Sequence, residues 1–590
     1  MKNLLAFYQN QINDHQEVLA KVKQQLFASS MLRLAIFCSA AIALYFLFGS
    51  TKWVLAIILL TFVAFLFLVS RHTDLQQKRD KLKALVKINE TEIKVLNRDF
   101  HHLSDGSEFK DPLHYFSQDI DLFGRGSFYQ YVNRTALRQG SETLAGIFRE
   151  NSIDGILKKQ EAIKELAELP EWRQDFSATA TLVKTETPYR ILIKWLNSYE
   201  EFVPSVMKWL PSVFSILSVI LWALYFLDLV SGWILFGWFL LGLGITASFL
   251  KRIYLLSVHT GKVQSTFQQY QKLINKLEDT VFSSESLNEI RSKVADGKPK
   301  TSVILKRFSV ILSALDQRNN MLFGVVGNGF LLWDLMQCHK IENWIKSHGK
   351  NVRGWFETIA FFDAYNSLGN FAFNHPDYVF PKLSQEKIIL KSKGAGHPLL
   401  DPKKCVLNDF QIDNEQFFII TGANMAGKST FLRTVSLQLM MANVGLPVCA
   451  EQVEYNPIKL ITSMRTTDSL TDDESYFFSE LKRLKFIVEE IQKDNYFIIL
   501  DEILKGTNSI DKAKGSLKFV ERLVASKSTG IIATHDLSLC EVSKELPQIE
   551  NHYFDAEIID NELHFDYKFK EGICQNMNAS FLLKKMEIVN

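Results

Sequence analysis

The sequence predicts an α + α/β chain: a helical N-terminal region with two transmembrane helical hairpins, then a helical core or lever region, then a C-terminal α/β domain. Three observations point there. Four long apolar runs come in two closely spaced pairs, helix formers dominate the rest of the chain up to about residue 390, and beyond it short apolar runs of strand length end in polar residues. At 590 residues the chain is too long for one hydrophobic core. The predicted boundaries are 1–105, 106–390 and 391–590.

The apolar runs are Leu34 to Phe48 and Trp53 to Val69, then Trp209 to Leu227 and Gly232 to Leu250. Each of the last two has 19 residues, which as a helix covers roughly 28 Å, close to the hydrocarbon thickness of a bilayer. The first pair is shorter, and Arg33 and Lys52 can snorkel from its edges. Both connecting turns are short. Basic residues crowd the outer flanks: Lys21, Lys23 and Arg33 before the first hairpin, Arg71, Lys78, Arg79, Lys81 and Lys83 after it, and Lys208, Lys251 and Arg252 around the second. The turns hold only Lys52. An integral protein of the inner (cytoplasmic) membrane is expected, with both termini and the C-terminal domain cytoplasmic. A cleaved signal peptide is not expected, since about thirty polar-rich residues precede the first run.

Between the hairpins, Leu75, Leu82, Val86, Ile93 and Leu96 form a helix-packing stripe, and the stretch from Ile253 to about Phe373 reads as helical with a break at Gly297-Lys298-Pro299. The six cysteines show no zinc-type spacing and read as reduced thiols. With 67 Lys plus Arg against 65 Asp plus Glu, overall charge gives no reason to expect a nucleic-acid partner, though a local basic patch stays open.

Chemistry is concentrated after Gly394-Ala395-Gly396-His397-Pro398, a turn into a new domain. Phe417 to Ile420 is a strand-like run, followed by Gly422-Ala423-Asn424-Met425-Ala426-Gly427-Lys428-Ser429 and then a helical stretch from Thr430. This is the strand, loop and helix of a P-loop. Glycines let backbone N–H groups turn inward around phosphate at a helix N-terminus. Lys428 is expected at the β- and γ-phosphates of ATP, and the Ser429 hydroxyl on Mg²⁺. A second run, Tyr496 to Leu500, ends in Asp501-Glu502. Asp501 is expected to hold Mg²⁺ and Glu502 to polarise the attacking water, because adjacent strand residues point to opposite sides and can divide these roles. A third, Gly530 to Thr534, ends in His535, placed to contact the γ-phosphate or that water. The expected catalytic set is Glu502, His535 and Lys428.

These motifs resemble the MutS family of DNA mismatch-repair ATPases. Thr421-Gly422-Ala423-Asn424-Met425-Ala426-Gly427-Lys428-Ser429-Thr430 is similar to the family's Gly-Pro-Asn-Met-Gly-Gly-Lys-Ser-Thr loop, with alanines at the proline and at one glycine. Asp501 to Thr507 is similar to Asp-Glu-Ile-Gly-Arg-Gly-Thr, Ala533-Thr534-His535 matches Ala-Thr-His, and Asp472 to Glu480 resembles the segment running from acidic residues to Glu. The likeness covers Gly394 to about Leu583, and more faintly Val132 to Ser141. It implies an ABC-like head that pairs into a homodimer, with ATP bound by residues 422–430 and Ser475 reaching the partner's nucleotide. The chain departs from the family before residue 110, where no mismatch-reading domain or Phe-x-Glu wedge is found. The second hairpin falls near the family's DNA clamp.

Three functions are weighed. The first is a membrane-anchored MutS-like ATPase whose dimer changes conformation to act on an unidentified protein or membrane partner. The second is a membrane-tethered ATPase that binds mismatched or branched DNA. The third is an ABC-type transporter, against which stands the lack of a Leu-Ser-Gly-Gly signature.

Overall fold

The computed structural model describes residues 2–49, 51–183, 189–261, 263–384, 386–423, 425–465, 476–505, 509–559 and 562–575. They form two compact units. One comprises Met1–Ile93, Thr135–Ser141 and Glu171–Asp363, the other Lys94–Arg134, Glu142–Pro170 and Ala364–Asn590.

The first unit is helical. Its helices α1 (Lys2–Phe46) and α2 (Thr51–Leu96) are far longer than the apolar runs that announced them. In both helices one half is packed. Val22 and Leu26 meet Leu82, Leu85 and Ala178 in one buried cluster, and the side-chain amides of Asn89 and Gln174 bond each other reciprocally at 3.0 Å. The other half leaves Phe37, Tyr45, Phe46, Leu59, Leu60 and Phe67 exposed. Contiguous apolar surface of this kind marks a site of interaction with protein or membrane. Among the described residues, two helices are long and apolar enough to cross a membrane, or up to four if each of two bent pairs is one span.

The second predicted hairpin forms α3 (Leu210–Phe226) and α4 (Gly232–Ala247), of 17 and 16 residues. α4 stops short of its apolar run because the chain bends by 67° after Ala247 into the helix Leu250–Gly261. A third apolar helix, α5 (Met321–Leu331), packs on both of them and is followed, across an 83° bend, by α6 (Trp333–His348). The sequence reading folded α5 into a long helical stretch, since its 11 residues fall short of a spanning length. Ser218 joins the three helices: its hydroxyl donates to the Phe330 carbonyl at 2.7 Å and accepts from Trp238 Nε1 at 2.8 Å. The break expected at Gly297-Lys298-Pro299 lies between the helices Glu285–Ala295 and Thr301–Asp316. Aromatic packing closes the remaining bundle, with Phe308 stacked on Trp344 at 3.7 Å between centroids.

The second unit is built on a six-stranded sheet. In chain order its strands are β1 (Phe417–Gly422), β2 (Lys459–Ser463), β3 (Tyr496–Asp501), β4 (Thr529–Ala533), β5 (Ile549–Phe554) and β6 (Lys570–Glu571). Spatially they run β6-β5-β1-β4-β3-β2, all parallel except the β6–β5 pair. β1, β3 and β4 read as continuous apolar runs because both faces of the sheet are covered. A smaller sheet contains Lys382–Leu383, Ile388–Ala395, Asn408–Asp413 and Gln452–Tyr455.

The β2 edge is covered by a distant part of the sequence. The Thr462 N–H donates to the Tyr115 carbonyl at 2.9 Å, and Arg483 donates to the carbonyls of His114, Tyr115 and Thr462 at 3.0, 2.6 and 2.7 Å. The buried Asp119 carboxylate accepts from Thr462 Oγ1 at 2.6 Å and from the Arg465 backbone N–H at 2.9 Å. Arg465 in turn grips Asp121 with two N–H groups, at 2.5 and 2.7 Å. An otherwise open sheet edge is closed by these contacts. Asp119→Ala strands a buried hydroxyl and an N–H, so it should cost this unit about 2–4 kcal/mol. Thermal unfolding should show the lowered midpoint, and an unchanged midpoint would mean that Asp119 does not hold the edge.

Candidate functional site: a pocket at the strand ends

Parallel pairing fixes the levels at which the strands end. Ile420 lies beside Ala533, and Ala533 beside Asp501, so β4 and β3 end at one level and β1 runs two residues past it to Gly422. A ligand site is expected at the carboxyl ends of such strands. There a cavity of about 540 Å³ is lined by Ala423, Met425, Gly427, Lys428, Ser429, Thr430, Glu502 and His535, and on its other side by His397, Cys405, Phe554 and Tyr567.

The loop between β1 and α7 (Lys428–Val444) is shaped by its glycines. Gly422 has φ +148° and a Cβ there would sit 2.5 Å from the Phe554 carbonyl oxygen; Gly427 has φ +110° and caps the start of α7. Ala423 and Ala426 are buried and lie outside the residues with positive φ, so alanine is accommodated at both. Met425, exposed, takes φ +68°. Asn424 and Ser475 lie outside the described residues.

Lys428 turns back over the loop. Its ammonium donates to the carbonyls of Gly422 and Ala423 at 2.7 and 3.1 Å and lies 3.4 Å from His535 Nε2. Burial pulls it below the ordinary lysine range, opposed by the carboxylates of Asp501 and Glu502. Ser429 Oγ donates to Asp501 Oδ2 at 2.9 Å, while Asp501 Oδ1 is buried and accepts no hydrogen bond. Burial raises the Asp501 carboxyl against the Ser429 hydrogen bond. Glu502 points elsewhere, with Oε1 3.2 Å from His535 Nε2 and Oε2 3.4 Å from Lys505 Nζ. Contact with His535, more than any other neighbour, holds its carboxyl down at about 2.

These atoms fit a Mg–nucleotide. An unpartnered carboxylate oxygen beside a serine hydroxyl is a suitable pair of oxygen ligands for Mg²⁺, which usually takes few protein ligands and keeps phosphate and water for the rest. No cluster of three or more His, Cys, Asp or Glu suited to a metal occurs among the described residues.

Sequence reasoning gave Glu480 only as the end of a resembling segment. Its buried carboxylate accepts from the backbone N–H groups of Leu504 and Lys505 at 2.5 and 3.3 Å, and so braces the turn after β3, where Glu502 and Leu504 have φ +49° and +60°. Also missed as lining were Tyr567, which carries no motif, and His397, read only as part of a turn. Burial beside Arg433 lowers His397 to about 4.

Fold and pocket together define an α/β domain with a pocket at a strand–loop–helix turn. Residues 418–587 match the family described as MutS domain V. The chain is 30% identical over 243 residues to MutS protein homolog 4 of Homo sapiens, covering 39% of this chain and 25% of that protein. It is 30% identical over 234 residues to the DNA mismatch repair protein MutS of Thermotoga maritima, covering 39% of this chain and 29% of that one. The corresponding protein of Macrococcus caseolyticus is 29% identical over 259 residues, covering 42% and 30%. The likeness is thus confined to the C-terminal part of the chain, which spans less than a third of the length of these relatives.

Because the Glu502 carboxyl is lowered from 4.5 to about 2, the stability it contributes is fully present above 4.5 and is lost as pH falls through 2. The gap in thermal midpoint between wild type and His535→Ala, followed from pH 5 downward, should therefore narrow toward pH 2. A constant gap would separate the carboxylate from that contact.

Proposed function

We propose that the chain is a membrane-anchored MutS-like ATPase that binds and hydrolyses ATP with Mg²⁺ and uses the cycle to change the conformation of a homodimer paired through its ATPase domains. The carrying observation is the single pocket in which Lys428, Ser429, Glu502 and His535 converge, with Asp501 hydrogen-bonded to Ser429 behind them. When bound, Mg²⁺ would neutralise phosphate charge during transfer. Gly422 to Thr430 would wrap the phosphates with backbone N–H groups, and Lys428 would exchange its loop carbonyls for phosphate oxygens. Ser429 and Asp501 would hold the metal. Glu502, kept ionised by His535, would orient and polarise the attacking water, and His535 would share the γ-phosphate side. Ser475 is assigned to the partner's nucleotide by family likeness.

Membrane anchoring is supported by the exposed apolar halves of α1 and α2, and by α3 and α4. The lysines and arginines at their outer ends favour cytoplasmic termini and a cytoplasmic ATPase domain in the inner membrane.

Glu502→Gln should cut steady-state ATPase activity at least about 100-fold while leaving ATP binding near wild type. Lys428→Ala should lose nucleotide affinity itself. Hydrolysis at the wild-type rate in Glu502→Gln would remove that carboxylate from its role, and unchanged affinity in Lys428→Ala would remove the P-loop reading.

A second reading, a membrane-tethered DNA-binding ATPase, is favoured by the relatives called DNA mismatch repair proteins. The ABC-transporter reading has no comparable support. The two leading readings are separated by ATPase activity in lipid nanodiscs, with homoduplex, mismatched and branched DNA across a salt series. Indifference to every DNA is expected if the partner is a protein or the membrane. Stimulation that fades with salt would establish the DNA reading.

A further inference from the structure

We infer that α5 is a further membrane element, a short helix that dips into the bilayer beside α3 and α4 and returns on the side it entered. This rests on the membrane reading of those two helices.

The first support is packing. A Cβ on Gly242 of α4 would lie 2.3 Å from the Gly329 carbonyl oxygen, and one on Gly329 would lie 2.1 Å from the Phe239 ring. Only glycine permits so close a backbone approach, the small-residue packing that holds helices together where no hydrophobic effect operates between them. Ser218, Trp238 and the Phe330 carbonyl add hydrogen bonds between the helices. Thus α5 is joined to the same helices whose outer faces require lipid.

Its own outer face is equally apolar. Met321 and Leu322 are 83% and 78% exposed, and Val325 and Val326, one turn further on, are exposed beside them. That spacing places all four on one side of the helix. No charged residue occurs between Met321 and Leu331.

Length and flanks decide between crossing and dipping. Eleven residues give about 16 Å of helix, roughly half a hydrocarbon core. Arg318, just before the helix, pairs at 3.2 Å with Asp334, just after it, and both side chains are largely buried. A chain whose two flanks are tied by an ion pair cannot leave them on opposite faces of a membrane. The left-handed Leu332 (φ +50°) and the 83° bend return the chain into α6.

The test is site-directed bimane labelling in vesicles of phosphatidylcholine and phosphatidylglycerol containing acyl-chain nitroxide lipid. The full chain would carry Cys38→Ser, which removes the exposed native thiol, and the unsubstituted background would be labelled in parallel. Leu322→Cys is the probe, Leu240→Cys on α4 the bilayer reference and Lys340→Cys on α6 the aqueous reference. Nitroxide quenching at Leu322 is expected to match Leu240 and to exceed Lys340 several-fold. Quenching at Leu240 with Leu322 at the Lys340 level would overturn the inference and leave the membrane reading standing. Absence of quenching at both would overturn the membrane reading as well. Shielding of Leu322 from iodide without nitroxide quenching would place a protein surface over α5 and overturn the lipid assignment.

Discussion

The candidate site depends on strand register. β1, β4 and β3 pair in parallel with Ile420, Ala533 and Asp501 side by side, so three segments far apart in sequence leave the sheet at the same end, within two residues of one level. A slip of one residue along any of these strands would turn its side chains to the opposite face and move its polar end away from the others. Burial enforces the register. Phe417, Ile419, Ile498, Leu500 and Ile532 are wholly enclosed in one cluster, and shifting any of them would open a cavity or force a clash.

Beyond the strand ends the backbone departs from ordinary conformations, and at Gly422, Gly427, Glu502 and Leu504 the departure has a visible restraint. Glycine accommodates it at Gly422 and Gly427. At Glu502 and Leu504, where side chains make a left-handed backbone costly, the Glu480 carboxylate ties down the turn through two N–H groups. The acidic pair is divided by this turn and not by strand alternation, since β3 ends at Asp501: Asp501 faces Ser429, and Glu502, already in the turn, faces His535 and Lys505.

In the helical unit one physical conflict recurs, apolar side chains with no protein to cover them. Along α1 and α2 it changes within a single helix, from enclosed Val22 and Leu85 to exposed Phe37 and Leu60. The boundary between these halves is a change of surroundings, for the helix itself continues unbroken across it. The polar contacts inside the α3–α4–α5 group are centred on Ser218, which ties all three helices together.

The sequence by itself determined the local features. Apolar runs located α1 to α4, glycine spacing located the loop before α7, and apolar strands with polar ends located Lys428, Ser429, Asp501, Glu502 and His535, because each of these signals lies within a few consecutive residues. Tertiary structure alone decided what depends on distant pairing. The His114–Asp121 segment closes the β2 edge more than 340 positions away, Glu480 braces the turn after β3, and His397 and Tyr567 complete the pocket wall. It also decided where the apolar runs stop being helices, as at Ala247, and that Met321–Leu331 belongs with α3 and α4. The reason is common to all of these. Periodicity reports which face of an element is apolar, while a carboxylate's partner or a glycine's neighbour is fixed only when the chain has folded back on itself.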